Sequence, residues 1–576
     1  MKSKLKPPVT PAQQFARRSW VMVGLLAVLG LGILARAIDL QVLKHGFLTE
    51  QGSERFMRTA SMPAHRGNIV DRFGEPIAVS TPVTTVAVNP SIITQYPDDL
   101  ALLAQAMQVD QDALIRRVSS NPDSSYLVVG RHIQPEDAKR VESLKIPGVL
   151  TEREYQRYYP AGEVTGHVLG FTGNEDQGQE GLELGFESRL AGENGQRRII
   201  QDRKGQVVET VESVRAPKAG QQLVTSLDLR IQFLAYRELK AAIQDYKAKS
   251  GSIVIIDVRT GEILAMVDQP SFNPNDRSHL EAQIYRNRAA VDVLEPGSTM
   301  KPFFVIAGLA SGKIKPDEII DTNPGFIRVG MNTFEDEHNL GRADIATILA
   351  KSSNVGMAHI GLRLDRPFLY KTLQGFGFGK LTTTGFPGES AGVLSSPANW
   401  GDVWIAVAAH GYGISVTPLQ LAQAYATIGS YGVRHPATLL RVDNAPAGTQ
   451  VVDPKVCQEV ISLLENVVTM PGGTGHLASI RGYRVAGKTG TAWKSSQGGY
   501  AGGKYEALFA GLVPASQPRL AAVVVIDEPS NGKYYGGDVA APVFSSVMSG
   551  ALRLMAIPPD DLERLPSTTL VQAVQK

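Results

Sequence analysis

Cysteine is almost absent: the 576 residues contain one, Cys457. A lone thiol excludes an intramolecular disulfide framework and any multi-cysteine zinc or iron–sulfur site, while fitting any compartment. The ten histidines are scattered and lack HExxH spacing, so no metal site is expected, and nothing calls for a cofactor. Charge of one sign is not in surplus either. The 58 Lys+Arg against 56 Asp+Glu leave a net +2, which gives no basis for wrapping nucleic acid. Long hydrophobic runs are missing with one exception, which excludes a polytopic membrane protein. What remains, 43% hydrophobic and 20% charged residues, is a globular composition. The length exceeds a single core and points to about three or four units at most.

The exception is Trp20–Ala35, a run of 16 uncharged residues (WVMVGLLAVLGLGILA). About 20 apolar residues cross a bilayer, so the run spans only if Arg36 snorkels and the turn through Leu40 and Leu43 joins the helix. Lys2, Lys4, Lys6, Arg17 and Arg18 precede it with no acidic residue. That bias keeps the N-terminus cytoplasmic and sends the chain after Leu43 across the membrane. A cleaved signal peptide is the rival, since Ala35-Arg36-Ala37 resembles a small-x-small site. An uncleaved anchor is preferred because helical patterning continues where cleavage needs extended chain.

From about 45 to 225 the chain is rich in short strand-like pieces, Gly, Pro and charge. Ala216–Gln221 reads as a linker. Ile231, Leu234, Ala235, Leu239, Ala242, Ile243 and Tyr246 recur at helical spacing and predict a helix from Ile231 to about Lys249. Strands are predicted at Ser252–Val258 and Glu262–Val267 about a short turn, and again at Tyr483–Trp493, Ala507–Val513 and Leu520–Ile526. A closing helix is predicted at Val543–Met555, after Pro542. Strands at both ends with helices between imply a mixed α/β layer domain whose sheet joins the two ends of that stretch.

Several short motifs compete for the chemistry, and context must choose. A serine three residues before a lysine occurs at Ser3/Lys6, Ser298/Lys301 and Ser530/Lys533. Only Ser298 follows a turn, Glu295-Pro296-Gly297, and opens an apolar helix closed by Gly312, which puts Lys301 one turn on and on the same face. A serine hydroxyl needs a base, and a buried lysine near a second cation can be neutral enough to serve. SxN occurs at Ser119, Ser271 and Ser352-Ser353-Asn354; Lys-Ser/Thr-Gly occurs at Lys249 and Lys488. Lys249 sits at a helix end. Lys488-Thr489-Gly490-Thr491 lies in a strand-like segment of small residues, where a peptide could pair as an added strand. The same segment matches a phosphate-binding loop, Gly482 to Thr489. That reading fails because Gly490, Gly498, Gly499, Gly502 and Gly503 cannot hold the helix such a loop requires.

Ser298-Thr299-Met300-Lys301, Ser352-Ser353-Asn354 and Lys488-Thr489-Gly490-Thr491, in that order, resemble the active-site motifs of penicillin-binding proteins and serine β-lactamases. Arg66-Gly67, Asp71–Gly74, Arg157–Gly162, Gly178–Glu183, Thr260–Ala265 and Tyr412–Gln420 extend the resemblance to the class B, division-type transpeptidases. One position departs: His410 precedes Gly411-Tyr412-Gly413 where an aromatic residue is expected.

The resemblance implies a multidomain α+β chain. Its parts are a cytoplasmic tail (1–18), a transmembrane anchor (19–43), an elongated non-catalytic pedestal (44–225), a transpeptidase domain with an antiparallel sheet flanked by helices (226–560) and a flexible tail (561–576). It implies D,D-transpeptidation of peptidoglycan stem peptides in septal wall synthesis at the bacterial inner membrane, with the catalytic domain periplasmic and β-lactams as inhibitors. Ser298 would be the nucleophile and Lys301 its base. Ser352 and Asn354 would relay the proton and hold the donor peptide; Lys488, Thr489, Gly490 and Thr491 would hold its carboxylate; the amides of Ser298 and Thr491 would form the oxyanion hole. The pedestal and membrane helix would meet division proteins and a glycosyltransferase. A β-lactamase, a β-lactam sensor and a bifunctional enzyme fit less well, for want of a deacylating base, further membrane spans and a glycosyltransferase domain respectively. A condition-specific paralogue of the division enzyme stays open.

Overall fold

The structure, a computed structural model, describes residues 11–47, 57–201, 207–278, 281–494 and 503–564. A helix runs over Pro11–Ile38 and continues as a π turn, Asp39–Leu43. Within its stretch Phe15–Leu43 an 18-residue window reaches a mean hydropathy of 2.3, and none of that window is buried inside the protein. Twenty-eight helical residues reach about 42 Å at 1.5 Å each, more than a hydrocarbon core of about 30 Å. The helix passes through Ala35-Arg36-Ala37 without a break. The turn through Leu40 and Leu43 thus continues the helix, and Arg36 and Lys44 both reach the Asp39 carboxylate, at 2.7 and 3.2 Å.

The remainder divides into two compact units, of which residues 82–154 and 193–218 belong to the first, with the N-terminal 1–64, and residues 65–81, 155–192 and 219–576 to the second. The first contains an antiparallel sheet of Met57–Met62, Gly195–Gln201 and Val207–Arg215. Its core packs Val86, Val88, Leu100, Leu103, Leu114, Val118 and Val141. Ala216–Gln221 is held rather than loose: Glu193 and Lys218 exchange backbone hydrogen bonds, and the Gly220 N–H donates to the His65 carbonyl.

The second unit is built on a five-stranded antiparallel sheet: β1 (Ser250–Asp257), β2 (Ile263–Gln269), β3 (Ala486–Trp493), β4 (Tyr505–Val513) and β5 (Leu520–Asp527). Its order is β2-β1-β5-β4-β3, so the two ends of the sequence meet where β1 pairs with β5. The apolar run of β5 is explained by burial of both faces. Ala521, Val523 and Val525 enter one core, while Leu520, Ala522, Val524 and Ile526 enter the other. The second core is covered by α1 (Leu229–Asp245) and, at the chain's end, Ala541–Leu554. The first is filled by α2 (Lys301–Ala310), α3 (Asn354–Leu362), α4 (Pro418–Gly429) and α5 (Pro454–Thr469); Ala541–Leu554 is α6.

Element ends differ from expectation for local reasons. α1 starts at Leu229, where the Asp228 carboxylate accepts the Arg230 N–H, and stops before Lys247, whose φ of +47° is left-handed. β3 starts at Ala486, three residues late, because the Tyr483 N–H turns back to the Ile480 carbonyl and the Arg484 N–H goes to the Asp560 carboxylate. α6 includes Pro542 in its first turn, where no intrahelical partner is lost. Residues 561–564, expected in a flexible tail, form a short turn with the Asp561 N–H bonded to the Gly482 carbonyl. Residues 565–576 lie outside the described residues, as do 1–10 of the expected cytoplasmic tail.

Candidate active site

Gly297–Met300 forms a 3₁₀ turn that leads directly into α2, so Ser298 precedes the α-helix by one turn and Lys301 is its first residue. The turn is fixed by its surroundings. The buried Tyr425 hydroxyl donates to the Thr299 carbonyl at 2.9 Å, and the Gly297 N–H donates to the Gly411 carbonyl at 3.1 Å. Gly411, at φ +90°, allows that approach; a Cβ there would lie 1.9 Å from the Gly297 oxygen.

Lys301 is fully buried. Its Nζ donates to the Ser352 carbonyl (2.5 Å), Ser352 Oγ (3.1 Å) and Asn354 Oδ1 (2.9 Å). The structure thus joins the second motif directly to the lysine of the first. Ser298 Oγ, by contrast, makes no hydrogen bond among the described residues, and it is left half-buried and open. Free enzymes commonly close such contacts only when substrate binds.

Burial pushes the Lys301 ammonium down to about 7, opposed by the Asp336 carboxylate. Lys488, also fully buried, is pushed well below its ordinary value, by burial first and then by the charge of Lys301. The second cation anticipated from the sequence is present, and its effect is expressed on Lys488. Lys488 Nζ lies 3.2 Å from the Thr489 carbonyl and 3.3 Å from Thr489 Oγ1, which itself donates to Thr474 Oγ1 at 2.8 Å. Thr491 Oγ1 accepts the Gly536 N–H at 3.0 Å.

These residues lie on β3, the sheet's edge strand. Its free edge can accept an added peptide strand. Gly490 lets β3 pass close to the turn that carries Ser298: a Cβ at Gly490 would lie 3.0 Å from both the Pro296 carbonyl and Thr299 Cγ2. All eight candidate residues therefore belong to two neighbouring groups, Ser298–Lys301–Ser352–Asn354 and Lys488–Thr491, with β3 beside the turn that carries Ser298.

One residue beside the site, Asp336, carried no signal in the sequence. Asp336 accepts from Ser353 Oγ (2.6 Å) and from the backbone N–H groups of Asn354 and Val355. It anchors the start of α3 while Ser352 is held at a left-handed φ of +60°. Asp336 sits in the run Glu335-Asp336-Glu337, which reads as solvated surface charge. Trp493, Tyr505, Tyr534 and Tyr535 form a line of rings 4.2–5.0 Å apart at the end of β3, and Tyr412 Oη accepts the Trp493 N–H at 3.1 Å.

Asp336→Asn is expected to slow acylation of Ser298 roughly ten- to a hundredfold, because the turn that places Ser352 and Asn354 loses an acceptor. The same change removes the charge that raises Lys301, so the acid limb of the pH–rate profile should move to lower pH. Stopped-flow acylation across pH separates the two effects.

Comparison with known proteins accords with this geometry. The penicillin-binding protein transpeptidase domain matches residues 251–549 and the penicillin-binding protein dimerisation domain matches residues 61–225. The chain is 41% identical over 535 residues to the peptidoglycan D,D-transpeptidase FtsI of Escherichia coli, covering 92% of this chain and 90% of the other. It superposes on penicillin-binding protein 3 of Mycobacterium tuberculosis, solved in complex with aztreonam, with a TM-score of 0.68 and 27% identity, covering 87% and 98% of the two chains. The transpeptidase domain of Burkholderia pseudomallei penicillin-binding protein 3 gives a TM-score of 0.55 and 36% identity over 59% of this chain and 98% of that one. With both family domains in this order and identity to FtsI along nearly the whole length, the chain belongs to the class B penicillin-binding proteins of FtsI type.

Proposed function

We propose that the protein is a septal peptidoglycan D,D-transpeptidase acting through an acyl-Ser298 intermediate. The observation that carries the reading is the buried, low-affinity amine of Lys301, bonded to Ser352 and Asn354 one turn from an open Ser298. Ser298 Oγ attacks the carbonyl between the two terminal D-alanines of a stem peptide as its proton passes to Lys301. The amides of Ser298 and Thr491 receive the oxyanion. Collapse breaks the peptide bond, and the proton returns, through Lys301 and Ser352, to the departing D-alanine amine. An amine of a neighbouring stem then attacks the acyl-enzyme, gives up a proton along the same route and regenerates Ser298. Lys488, Thr489, Gly490 and Thr491 hold the donor's terminal carboxylate, and Asn354 its backbone. A β-lactam enters by the same first step and stays as the acyl-enzyme.

The residue division offered for this activity is a cytoplasmic tail (1–18), an anchor (19–43), a non-catalytic pedestal (44–225) and a transpeptidase domain (226–560). The basic residues before Trp20 favour a cytoplasmic N-terminus and a periplasmic catalytic domain. The pedestal and the membrane helix are the parts offered to division proteins and a glycosyltransferase.

Fluorescent penicillin tests the reading directly. Wild-type protein is expected to be labelled covalently and Ser298→Ala to remain dark. An unlabelled wild type, or equal labelling of the variant, removes the assignment.

A further inference from the structure

His410 is a polar group that the mechanism above leaves unused, at a position where the family resemblance leads to an aromatic residue. It follows the helical segment Asp402–Ala408 and directly precedes Gly411, whose carbonyl holds the nucleophile's turn. Its ring is clamped edge-on by Phe334, with centroids 5.3 Å apart, and by Tyr412 at 6.0 Å. Each clamp belongs to a different wall of the site. Phe334 lies on the strand Asn332–Glu335, whose last carbonyl accepts from Asn354 Nδ2 and which leads into Asp336. Tyr412 receives the N–H of Trp493, the last residue of β3. The imidazole therefore stands where the Ser298 turn, the Ser352–Asn354 wall and the β3 wall come together.

Its two nitrogens are not equivalent. Nδ1 is buried and has no hydrogen-bond partner. Burial, and then the charge of Lys301, hold the ring's proton affinity down to about 3, so it is neutral at any physiological pH and carries one N–H. Since Nδ1 is buried without a partner, the proton is assigned to Nε2, which leaves Nδ1 an unfilled acceptor rather than an orphaned donor. Among the described residues Nε2–H meets no acceptor.

We infer that His410 is a specificity-determining residue of this site, whose Nε2–H donates a hydrogen bond to a carbonyl oxygen of the bound stem peptide. A phenylalanine there keeps the packing and offers no donor. The inference rests on the transpeptidase reading, and it names the substrate group that this chain, with histidine at that position, would recognise.

The test uses full-length enzyme in detergent and a benzoyl-D-alanyl thioester, which carries amide and acyl carbonyls like those at the end of a stem peptide. A neutral hydrogen bond to substrate corresponds to a loss of about three- to tenfold in kcat/KM, and this is the fall expected for His410→Phe. His410→Gln places an amide N–H near the position of Nε2 and should recover activity to within about twofold of wild type, whereas His410→Asn, whose amide stops near Nδ1, should not. A purely packing role would leave Gln and Asn alike. The inference is overturned if His410→Phe stays within about twofold of wild type, or if the Gln and Asn variants cannot be told apart. Penicillin labelling of wild type separates the two levels. No label at Ser298 removes the transpeptidase reading, while a labelled wild type with insensitive His410 variants removes the hydrogen bond alone.

Discussion

Lys301→Met is expected to lower acylation of Ser298 by fluorescent penicillin by about 10²- to 10⁴-fold, the range over which a positioned base acts. The methionine fills similar space, so the loss reports the missing amine. In wild type the acylation rate should rise with pH up to about 7 and then level, because only the unprotonated amine can take the Ser298 proton. The variant's residual rate should lack that limb. A rate in Lys301→Met that keeps the same pH dependence would assign the base elsewhere. Stability changes with pH for the same reason, with a definite sign. The native state disfavours the ammonium form, so below about 7 its burial cost is fully present. Between there and the ordinary lysine value of 10.5 the unfolded chain binds a proton that the native chain lacks, and stability rises with pH. In Lys301→Met this contribution is absent, and its unfolding midpoint should gain less than wild type over that window.

The second large effect concerns the fold. Glu183 is fully buried between two buried guanidinium groups: one carboxylate oxygen accepts from Arg66 Nε and the other from Arg157 Nε, each at 2.7 Å. Arg66 also donates to the Glu183 and Asp176 carbonyls and to the Glu187 carboxylate. Removing the central charge leaves two cations in a dry interior. Glu183→Ala should therefore cost about 3–5 kcal/mol, which lowers the thermal midpoint of a unit this size by roughly 5 °C. Glu183→Gln, which keeps one acceptor, should lose less. Calorimetry on the full-length protein measures both, and an unchanged midpoint in Glu183→Ala would mean that the network is relaxed by water.

Much of the architecture was legible because it is local. The apolar run after five basic residues, the uninterrupted hydrophobic stretch of β5 and the helical spacing in α1 are short-range patterns, and each led to the element found. The three motifs were legible as short strings, and local context together with their order in the resemblance chose among the repeats. Element ends were less so, since they depend on partners far away in sequence, such as Asp560 for the start of β3.

Asp336 and His410 show where short-range patterns stop. Nothing in Glu335-Asp336-Glu337 separates the carboxylate that holds α3 from its neighbours; packing alone turns it inward. His410 stood out in the sequence only as a departure from the family resemblance; its place against Phe334 and Tyr412 depends on packing between separate stretches of chain. Arg66, Arg157 and Glu183 stood out as points of resemblance, with no indication that they form one buried network.

Residue order alone marked the long apolar helix, the main strands and helices of the transpeptidase domain and the candidate reacting groups, because periodicity and motif spacing are properties of neighbours in the chain. The tertiary structure decided that β3 lies at the sheet's edge beside the Ser298 turn, that Lys301 is dry, and that Asp336 and His410 stand near it. Desolvation depends on which distant segments pack together, and against the opposing charge of Asp336 it turns an ordinary lysine into one that can be neutral near pH 7.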